Sequence, residues 1–196
     1  MNFSFVFNRA KNLIINARAE WIAIQSEARS KQFVVKKFVI PFMIIIAGCS
    51  IAGDFIFASR LGSFSLIYVL CKAIGVVAAV YGGTIISALI INEITASFNS
   101  KKDTPTTFNV VIYSLSAFYL TTAFVMFLPA LGVLAAFGFY SIYLFWQGAA
   151  MILETPEDNR AGFVVVSSLV VLGIYAILNL ILRAILTGIF GVSLTI

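Results

Sequence analysis

Histidine is absent from the 196 residues of this chain, and the motifs that usually mark an enzyme are absent with it. Without histidine the sequence lacks the commonest general base and the commonest metal ligand, and it contains no HExxH metalloprotease motif. It also contains no GxSxG nucleophile elbow, no phosphate-binding loop of the Walker type and no GxGxxG turn. These absences give catalysis little support, and we expect a protein that is not an enzyme.

Cysteine is scarce as well. Cys49 and Cys71 are the only two, both lie inside apolar stretches, and neither has the spacing of a disulfide or a metal site. We interpret both as small packing residues. No metal or other cofactor is expected.

Charged residues are the third scarcity, at 11% of the chain against 61% for hydrophobic residues. A helix that crosses the hydrocarbon layer of a bilayer needs about 20 consecutive apolar residues, and lipid offers no water to backbone amides. Five stretches are long enough: 38–58, 64–91, 110–128, 131–153 and 162–186. The sequence therefore predicts an all-α, polytopic membrane bundle of five transmembrane helices over residues 38–196, preceded by an amphipathic basic arm over residues 1–37.

The third and fourth predicted spans are separated only by Pro129 and its neighbours. The apolar residues from Val110 to Leu153 are too many for a single crossing, so we expect a tight helical hairpin near Leu128, Pro129 and Ala130. The sequence leaves open whether both of these spans cross completely.

Lysine and arginine fall almost entirely on one side of the predicted spans. They are Arg9, Lys11, Arg18, Arg29, Lys31, Lys36 and Lys37 before the first span, Lys101 and Lys102 after the second, and Arg160 after the fourth. Because basic residues resist translocation, this side is expected to be the cytoplasm, with the N-terminus inside and the C-terminus outside. The net charge of +5 then suits anionic lipid at the cytoplasmic face and is no argument for a nucleic acid partner.

The arm carries an apolar stripe at helical spacing. The stripe consists of Ile14, Ala17, Trp21, Ile24 and Ala28. Such a helix can lie in the membrane interface, and Trp21, Arg18, Lys36 and Lys37 are then its candidate anchor, with the indole at headgroup depth and the basic groups facing phosphates. Alternatively, the stripe packs beneath the cytoplasmic ends of the spans or against a partner protein.

Three ionisable residues lie inside the predicted spans, where each is costly to insert. Asp54, Lys72 and Arg183 all fall in the outer half of the bilayer, and other polar side chains extend along the same helices. The candidate seam between helices comprises Asp54, Lys72, Tyr140, Gln147, Asn179 and Arg183. Two interpretations stay open: a network of ion pairs and hydrogen bonds that fixes helix packing, or a cavity that accepts an anion such as a lipid headgroup.

Small residues form a ridge on the second predicted span. Gly75, Ala79, Gly83 and Ser87 recur at every fourth position in line with Lys72, which favours close helix packing. The ridge can pack within one molecule or between two copies, so a homo-oligomer stays open.

Several segments together resemble the bacterial branch of the Yip family, which is named for Ypt/Rab-interacting proteins. They are Asn8–Asn12 and Trp21–Ile24 of the arm, the entry at Phe38–Pro41, the five spans and the loop Glu154–Arg160. The resemblance implies a polytopic protein, here in a bacterial inner membrane, where the Rab partners of the eukaryotic members are lacking. It implies no catalytic residue.

Two classes of function follow from these observations. The first is a membrane scaffold or organiser that acts through membrane lipids or another membrane protein, without catalysis. The alternative is a transporter, channel or lipid-binding protein that uses the candidate seam. No helix carries polar residues along its whole length and no inverted repeat is evident, so the sequence favours the organiser.

Overall fold

The structure is a computed structural model, and it describes residues 3–57 and 65–191. These residues form eight helices and no strand. The helices are α1 (Phe3–Ile15), α2 (Ala17–Glu27), α3 (Lys31–Phe57), α4 (Leu66–Phe98), α5 (Thr104–Ser114), α6 (Ser116–Phe127), α7 (Pro129–Met151) and α8 (Glu157–Phe190). Arg60, the one basic residue of the predicted outer loops, lies outside the described residues.

Four of these helices, α3, α4, α7 and α8, are long and apolar enough to cross a membrane. The helices α5 and α6 meet at an angle of 40°, and together they can form a fifth span. The predicted fold class, an all-α polytopic bundle, is therefore confirmed. Leucine and isoleucine side chains along α8 and the first half of α7 remain exposed, as expected for surfaces that face lipid.

The bundle has two ends. At the arm end, α1 and α2 pack against the spans, α3, α5 and α8 begin, and α4 and α7 end. The amide of Lys101 donates to the carbonyl of Leu153 there, which joins two of the connecting loops. At the far end, Tyr68 near the start of α4 stacks edge-on against Phe190 at the end of α8.

The predicted boundary between arm and first span, at residues 37 and 38, falls inside a continuous helix. α3 begins at Lys31 and passes through a π-helical turn over Val35–Val39 before it continues to Phe57. Proline lacks an amide proton and its ring crowds the preceding turn of a helix. The π turn directly precedes Pro41 and widens the backbone there, so Pro41 lies in the helix interior and not in its first turn.

The third predicted span is broken in its middle at Leu115. The backbone of Leu115 departs from helical geometry (ψ 3°), and the first turn of α6 needs new partners for its amides. One comes from another helix, because the amide of Phe118 donates to the Ser141 hydroxyl of α7 at 3.1 Å. The hydroxyl of Ser116 donates back to the carbonyl of Tyr113. Serine side chains thus satisfy the broken backbone at membrane depth.

The expected hairpin between the third and fourth spans is present. α6 ends at Phe127, α7 begins at Pro129, and Leu128 alone makes the turn. The first eleven residues of α7, Pro129–Phe139, form a 3₁₀ helix with no buried residue. Gly138 in that segment lies against Thr121 and Phe118 of α6, so the two arms of the hairpin are in contact.

The small-residue ridge of α4 packs against α8 of the same molecule. A Cβ added to Gly75 would overlap the side chain of Leu182, and one added to Gly83 would come within 2.7 Å of the Tyr175 ring. Ala79 and Ser87 are buried on the same face. Because these four positions carry little or no side chain, the two long helices approach closely along their length.

Candidate functional site

The six residues of the predicted seam do not form one site. Lys72 and Asp54 are brought together: the ammonium donates to the Asp54 carboxylate at 2.6 Å, and the two side chains are 18% and 13% exposed. The second carboxylate oxygen of Asp54 is buried and has no hydrogen-bond partner among the described residues. We call this contact the far-end pair.

Arg183 does not join the far-end pair. Its side chain is exposed, and it makes no ion pair with any residue that the structure describes. Leu182, the preceding residue, occupies the position that faces α4, where it packs against Gly75. Successive residues of an α-helix are rotated by about 100°, so Arg183 points away from α4. Asn179 likewise is exposed and donates to the carbonyl of Tyr175 in its own helix.

Tyr140 and Gln147 lie elsewhere, on the part of α7 that approaches the arm. The Tyr140 hydroxyl donates to the carbonyl of Ile14 at 3.0 Å, and its ring stacks on that of Tyr143. The amide of Gln147 donates to the Tyr143 hydroxyl at 3.4 Å. These contacts attach α7 to α1 and have no connection to Asp54 or Lys72.

The centre of the bundle holds a polar group that the sequence did not indicate. Thr84 of α4 lies 2.9 Å from the hydroxyl of Tyr119 in α6 and 2.9 Å from that of Tyr175 in α8, and its own hydroxyl donates to the Val80 carbonyl. All three side chains are buried. This hydroxyl cluster joins three helices without any charge. Tyr175 lies one helical turn before Asn179 of the predicted seam, but Thr84 and Tyr119 carried no comparable signal.

The predicted interface anchor is divided between the core and the surface. Trp21 is fully buried, with its ring against Gly148 of α7 and Val110 of α5. Three residues of the apolar stripe, Ala17, Trp21 and Ile24, are buried, as in the alternative in which the stripe packs beneath the spans, whereas Ile14 and Ala28 are exposed. Arg18, Lys36 and Lys37 are exposed and have no ion-pair partner among the described residues.

The arm is held by a network of charged side chains, here called the arm cluster, which consists of Arg9, Glu20, Glu27 and Arg29. The guanidinium of Arg9, 6% exposed, donates to both carboxylate oxygens of Glu27 at 2.6 and 2.7 Å and to Glu20 at 2.7 Å. Arg29 adds a bond of 2.8 Å to Glu27. A single nitrogen, Nη2, makes both bonds to Glu27, while Nη1 donates to Glu20; hydrogen bonds between charged groups are shorter and stronger than those between neutral groups.

Aromatic rings and one amide link the arm cluster to the spans. The Arg9 guanidinium lies over the rings of Phe5 and Tyr113 at 5.3 and 5.8 Å, so it contacts α5 as well as α1. The side-chain amide of Asn109, also in α5, donates to the carbonyl of Arg29 at 2.6 Å. These contacts connect α5 to α1, to α2 and to the start of α3.

Burial and pairing act in opposite directions on the pKa values in this cluster. Burial lowers the pKa of Arg9 and raises that of Glu27, but their mutual hydrogen bonds and charges outweigh burial. The pKa of Arg9 is therefore raised above the ordinary value of a guanidinium, and the pKa of Glu27 is lowered below the ordinary value of a carboxyl group. Both groups stay charged at neutral pH. Among the described residues, no three carboxylate or thiol side chains converge where they could hold a metal ion.

Comparison with known proteins gives one match. A family model described as the Yip1 domain matches residues 11–180, which include most of the arm and nearly all of the helical bundle. No curated protein and no solved structure matches the chain. The match takes in the far-end pair and the hydroxyl cluster, whereas Arg9 and Arg183 lie just beyond its two ends.

Proposed function

Because this chain belongs to the Yip1 domain family of membrane proteins, we propose that it is a membrane organiser, which gathers anionic lipids through a rigidly held basic surface and performs no catalysis. The observation that carries the proposal is the contrast between paired and unpaired basic residues in the arm. Arg9 and Arg29 are already paired with carboxylates of the arm cluster. Lys11, Arg18, Lys36 and Lys37 are exposed and without an ion-pair partner among the described residues.

We call these four exposed residues the basic surface. Two of them lie on α1 and α2 and two on the π turn of α3. The arm cluster joins α1 to α2, and its Arg29 guanidinium lies over the Phe33 ring of α3 at 4.1 Å. The charges are therefore held near the membrane entry of α3 and not on a free tail. Each lysine or arginine close to an anionic membrane surface contributes about 1 kcal/mol of attraction. Four of them would enrich anionic headgroups around the arm.

The orientation of the protein is part of this proposal. The arm end carries nearly all basic residues of the chain, and such an excess favours the cytoplasmic side, where anionic lipid is exposed. We place the N-terminus inside and, after five spans, the C-terminus outside. The proposed membrane is the bacterial inner membrane.

An anion-accepting seam is less well supported. Lys72 is already neutralised by Asp54 at 2.6 Å, and Arg183 faces away from them, so the described residues place no excess positive charge between helices at the far end. Between the two ends, the hydroxyl cluster of Thr84, Tyr119 and Tyr175 is closely packed and buried. A path for a solute along the bundle axis finds no support in this arrangement.

The test is the lipid composition around the protein. The chain is reconstituted in phosphatidylcholine vesicles that contain a minority of phosphatidylglycerol, extracted into polymer nanodiscs with its surrounding lipid, and the lipids are counted by mass spectrometry. We expect phosphatidylglycerol to be enriched about twofold or more over bulk, and the enrichment to decline with added salt. We expect the enrichment of phosphatidylglycerol to be abolished when all four residues of the basic surface are replaced together, by Lys11→Gln, Arg18→Gln, Lys36→Gln and Lys37→Gln.

The matched control neutralises two lysines that already have partners. Lys101 pairs with Glu154 and Lys102 with Glu93, so Lys101→Gln with Lys102→Gln is expected to leave most of the enrichment in place. Equal enrichment in the basic-surface variant and the wild type would overturn the proposal. So would a solute flux across the vesicles that depends on Lys72.

A further inference from the structure

A cavity opens sideways from the bundle toward the lipid, and no part of the proposed function uses it. It lies among α5, α6, α7 and α8 beside the break at Leu115 and has a volume of about 170 Å³. An engineered protein cavity of about 150 Å³ accommodates benzene. The space is thus sufficient for the end of a larger molecule, but not for a whole lipid.

The entrance of the cavity faces the surroundings of the bundle. Phe139 and Ile142 of α7 and Leu172 of α8 line it and are 59%, 37% and 47% exposed. They belong to the apolar surface expected to contact lipid. A ligand would therefore enter from the bilayer, and its remaining length could stay in the hydrocarbon.

The inner wall of the cavity carries hydroxyl groups that lack partners. Ser114 of α5 and Ser167 of α8 line it, are 2% and 1% exposed, and have side-chain oxygens without a hydrogen-bond partner among the described residues. Hydroxyls within helices often donate to the carbonyl four residues before them, as Thr84 and Thr95 do here. Ser114 and Ser167 do not, and an unpaired buried hydroxyl costs free energy.

The serines of the cavity lie at one depth. Ser114 and Ser167 are each ten residues from the start of their helices, and Ser141 is ten residues from the end of α7. All three counts run from the arm end, and at 1.5 Å per residue they correspond to about 15 Å. The hydroxyl groups therefore form a layer inside the hydrocarbon, beneath the headgroups of the leaflet on the arm side.

The lining includes no Asp, Glu, Lys or Arg. An ionised group would lose its hydration there without gaining a partner charge, so a phosphate headgroup is disfavoured. A purely apolar chain end would leave the serine hydroxyls unsatisfied. Bound water alone needs two to four polar partners and would lie against mostly apolar walls. An uncharged group that can form hydrogen bonds, attached to an apolar chain, meets all three constraints.

We propose that this cavity binds the uncharged polar end of a neutral long-chain lipid, with Ser114 and Ser167 as its hydrogen-bonding partners and the chain leaving between α7 and α8. The site is independent of the basic surface, so either proposal can fail without the other.

The experiment uses hexadecanol that carries a diazirine near its hydroxyl end and a terminal alkyne, in proteoliposomes of the full chain. After illumination, the labelled peptides are identified by mass spectrometry. Because the diazirine lies next to the hydroxyl group, we expect labelling to concentrate on the buried lining residues around Val111, Leu115 and Phe145. Ser114→Ala with Ser167→Ala is expected to lower it about tenfold, since two hydrogen bonds are lost.

Ser87 provides a matched control because its hydroxyl is also buried and unpaired, yet it does not line the cavity. Ser87→Ala should retain full labelling. Ser168→Leu, at a partly exposed lining position, should block labelling by filling the space while both partner serines remain. Each variant is checked for a monodisperse elution profile, so loss of fold is separated from loss of binding.

Phosphatidylcholine with the same diazirine chain is the comparison probe. It should label exposed surfaces without regard to Ser114 and Ser167. The proposal is overturned if the alcohol labels as diffusely as phosphatidylcholine does, or if the double alanine variant is labelled as strongly as the wild type. It is also overturned if the alcohol leaves the cavity unlabelled in the wild type, as for a cavity that holds water only.

Discussion

The two ends of the bundle neutralise buried charge in different ways. At the arm end, two arginines and two glutamates share three salt bridges, and aromatic rings cover the cations. At the far end, Lys72 pairs with Asp54, and the second carboxylate oxygen of Asp54 has no partner among the residues that the structure describes. Between them, Thr84, Tyr119 and Tyr175 bond through neutral hydroxyls alone.

This difference follows the cost of removing each group from water. A charge at the arm end lies near headgroups and solvent, so several can be gathered if each finds a geometrically good partner. Deeper in hydrocarbon an unpaired charge is much more expensive, and hydroxyls can satisfy one another without that cost. We therefore expect substitutions in the three polar groups to lower stability in the order of the number of charged contacts that each one removes.

The largest effect is expected from Arg9→Met. It leaves Glu20 without a cation and Glu27 with Arg29 alone, and breaking such a buried pair costs about 3 kcal/mol. The arm should detach from the spans and expose Trp21. The measurement is a red shift of Trp21 fluorescence in a Trp146→Phe background, together with faster cleavage of the arm by protease.

Arg18→Met is the control for that experiment, because Arg18 is exposed and unpaired among the described residues. It removes the same charge from the same arm. If both variants keep Trp21 in its buried environment, the arm cluster does not hold the arm. The proposed difference in stability between the two ends would then be contradicted.

Lys72→Met is expected to have the next largest effect, about 2 kcal/mol, because Asp54 is then left alone among apolar side chains. The loss is smaller than for Arg9 because the Lys72 ammonium has one carboxylate partner, whereas the Arg9 guanidinium has two and also lies over two aromatic rings. Thermal unfolding in lipid nanodiscs measures it. Adding Asp54→Asn should restore much of the stability, since no unpaired charge remains.

Arg183→Met, in the same half of the bundle, should leave the unfolding temperature unchanged because Arg183 is exposed. A Lys72→Met protein as stable as the wild type would contradict a structural role for the far-end pair. Loss of binding of an added anion by that stable variant would revive the anion-accepting interpretation.

Tyr175→Phe tests the uncharged centre and should cost about 1 kcal/mol, the net value of a hydrogen bond in this setting. Thr84 would keep its bond to Tyr119, so the cluster is weakened and not abolished. Tyr81→Phe, at an exposed position of the same bundle, removes an equivalent hydroxyl and should cost nothing measurable. A loss for Tyr175→Phe as large as that for Lys72→Met would contradict the proposed order.

The fold could be predicted from the sequence where a physical signal repeats along the chain. Long apolar runs predicted the spans, and Pro129 between two such runs predicted the hairpin, because a bilayer sets helix length. The ridge at Gly75 and Gly83 was visible because packing of this kind needs small residues at every fourth position.

The remaining features had no local signal. The break at Leu115 has neither proline nor glycine beside it, and its amides are satisfied by Ser141, a residue of another helix. The arm cluster joins Arg9 to carboxylates 11 and 18 residues away, a relation that appears only after α1 and α2 fold against each other. Thr84 is a single hydroxyl in an apolar helix, so nothing in the sequence distinguishes it from a packing residue.

The smallest effect is expected from pH. Although burial acts in the opposite direction, pairing with Arg9 and Arg29 lowers the pKa of Glu27 in the folded protein, so its contribution to arm docking is fully present above the ordinary carboxyl pKa and is lost as the pH falls through the lowered pKa. The effect is small because the Glu27 side chain is 30% exposed and solvent screens it, and because Glu20 continues to hold Arg9. Trp21 fluorescence between pH 7 and pH 3 follows the change, and Glu27→Gln should remove most of the pH dependence. Detachment of the arm as the pH rises would contradict this prediction, because it would require a group whose pKa is raised on folding, whereas the pKa of Glu27 is lowered.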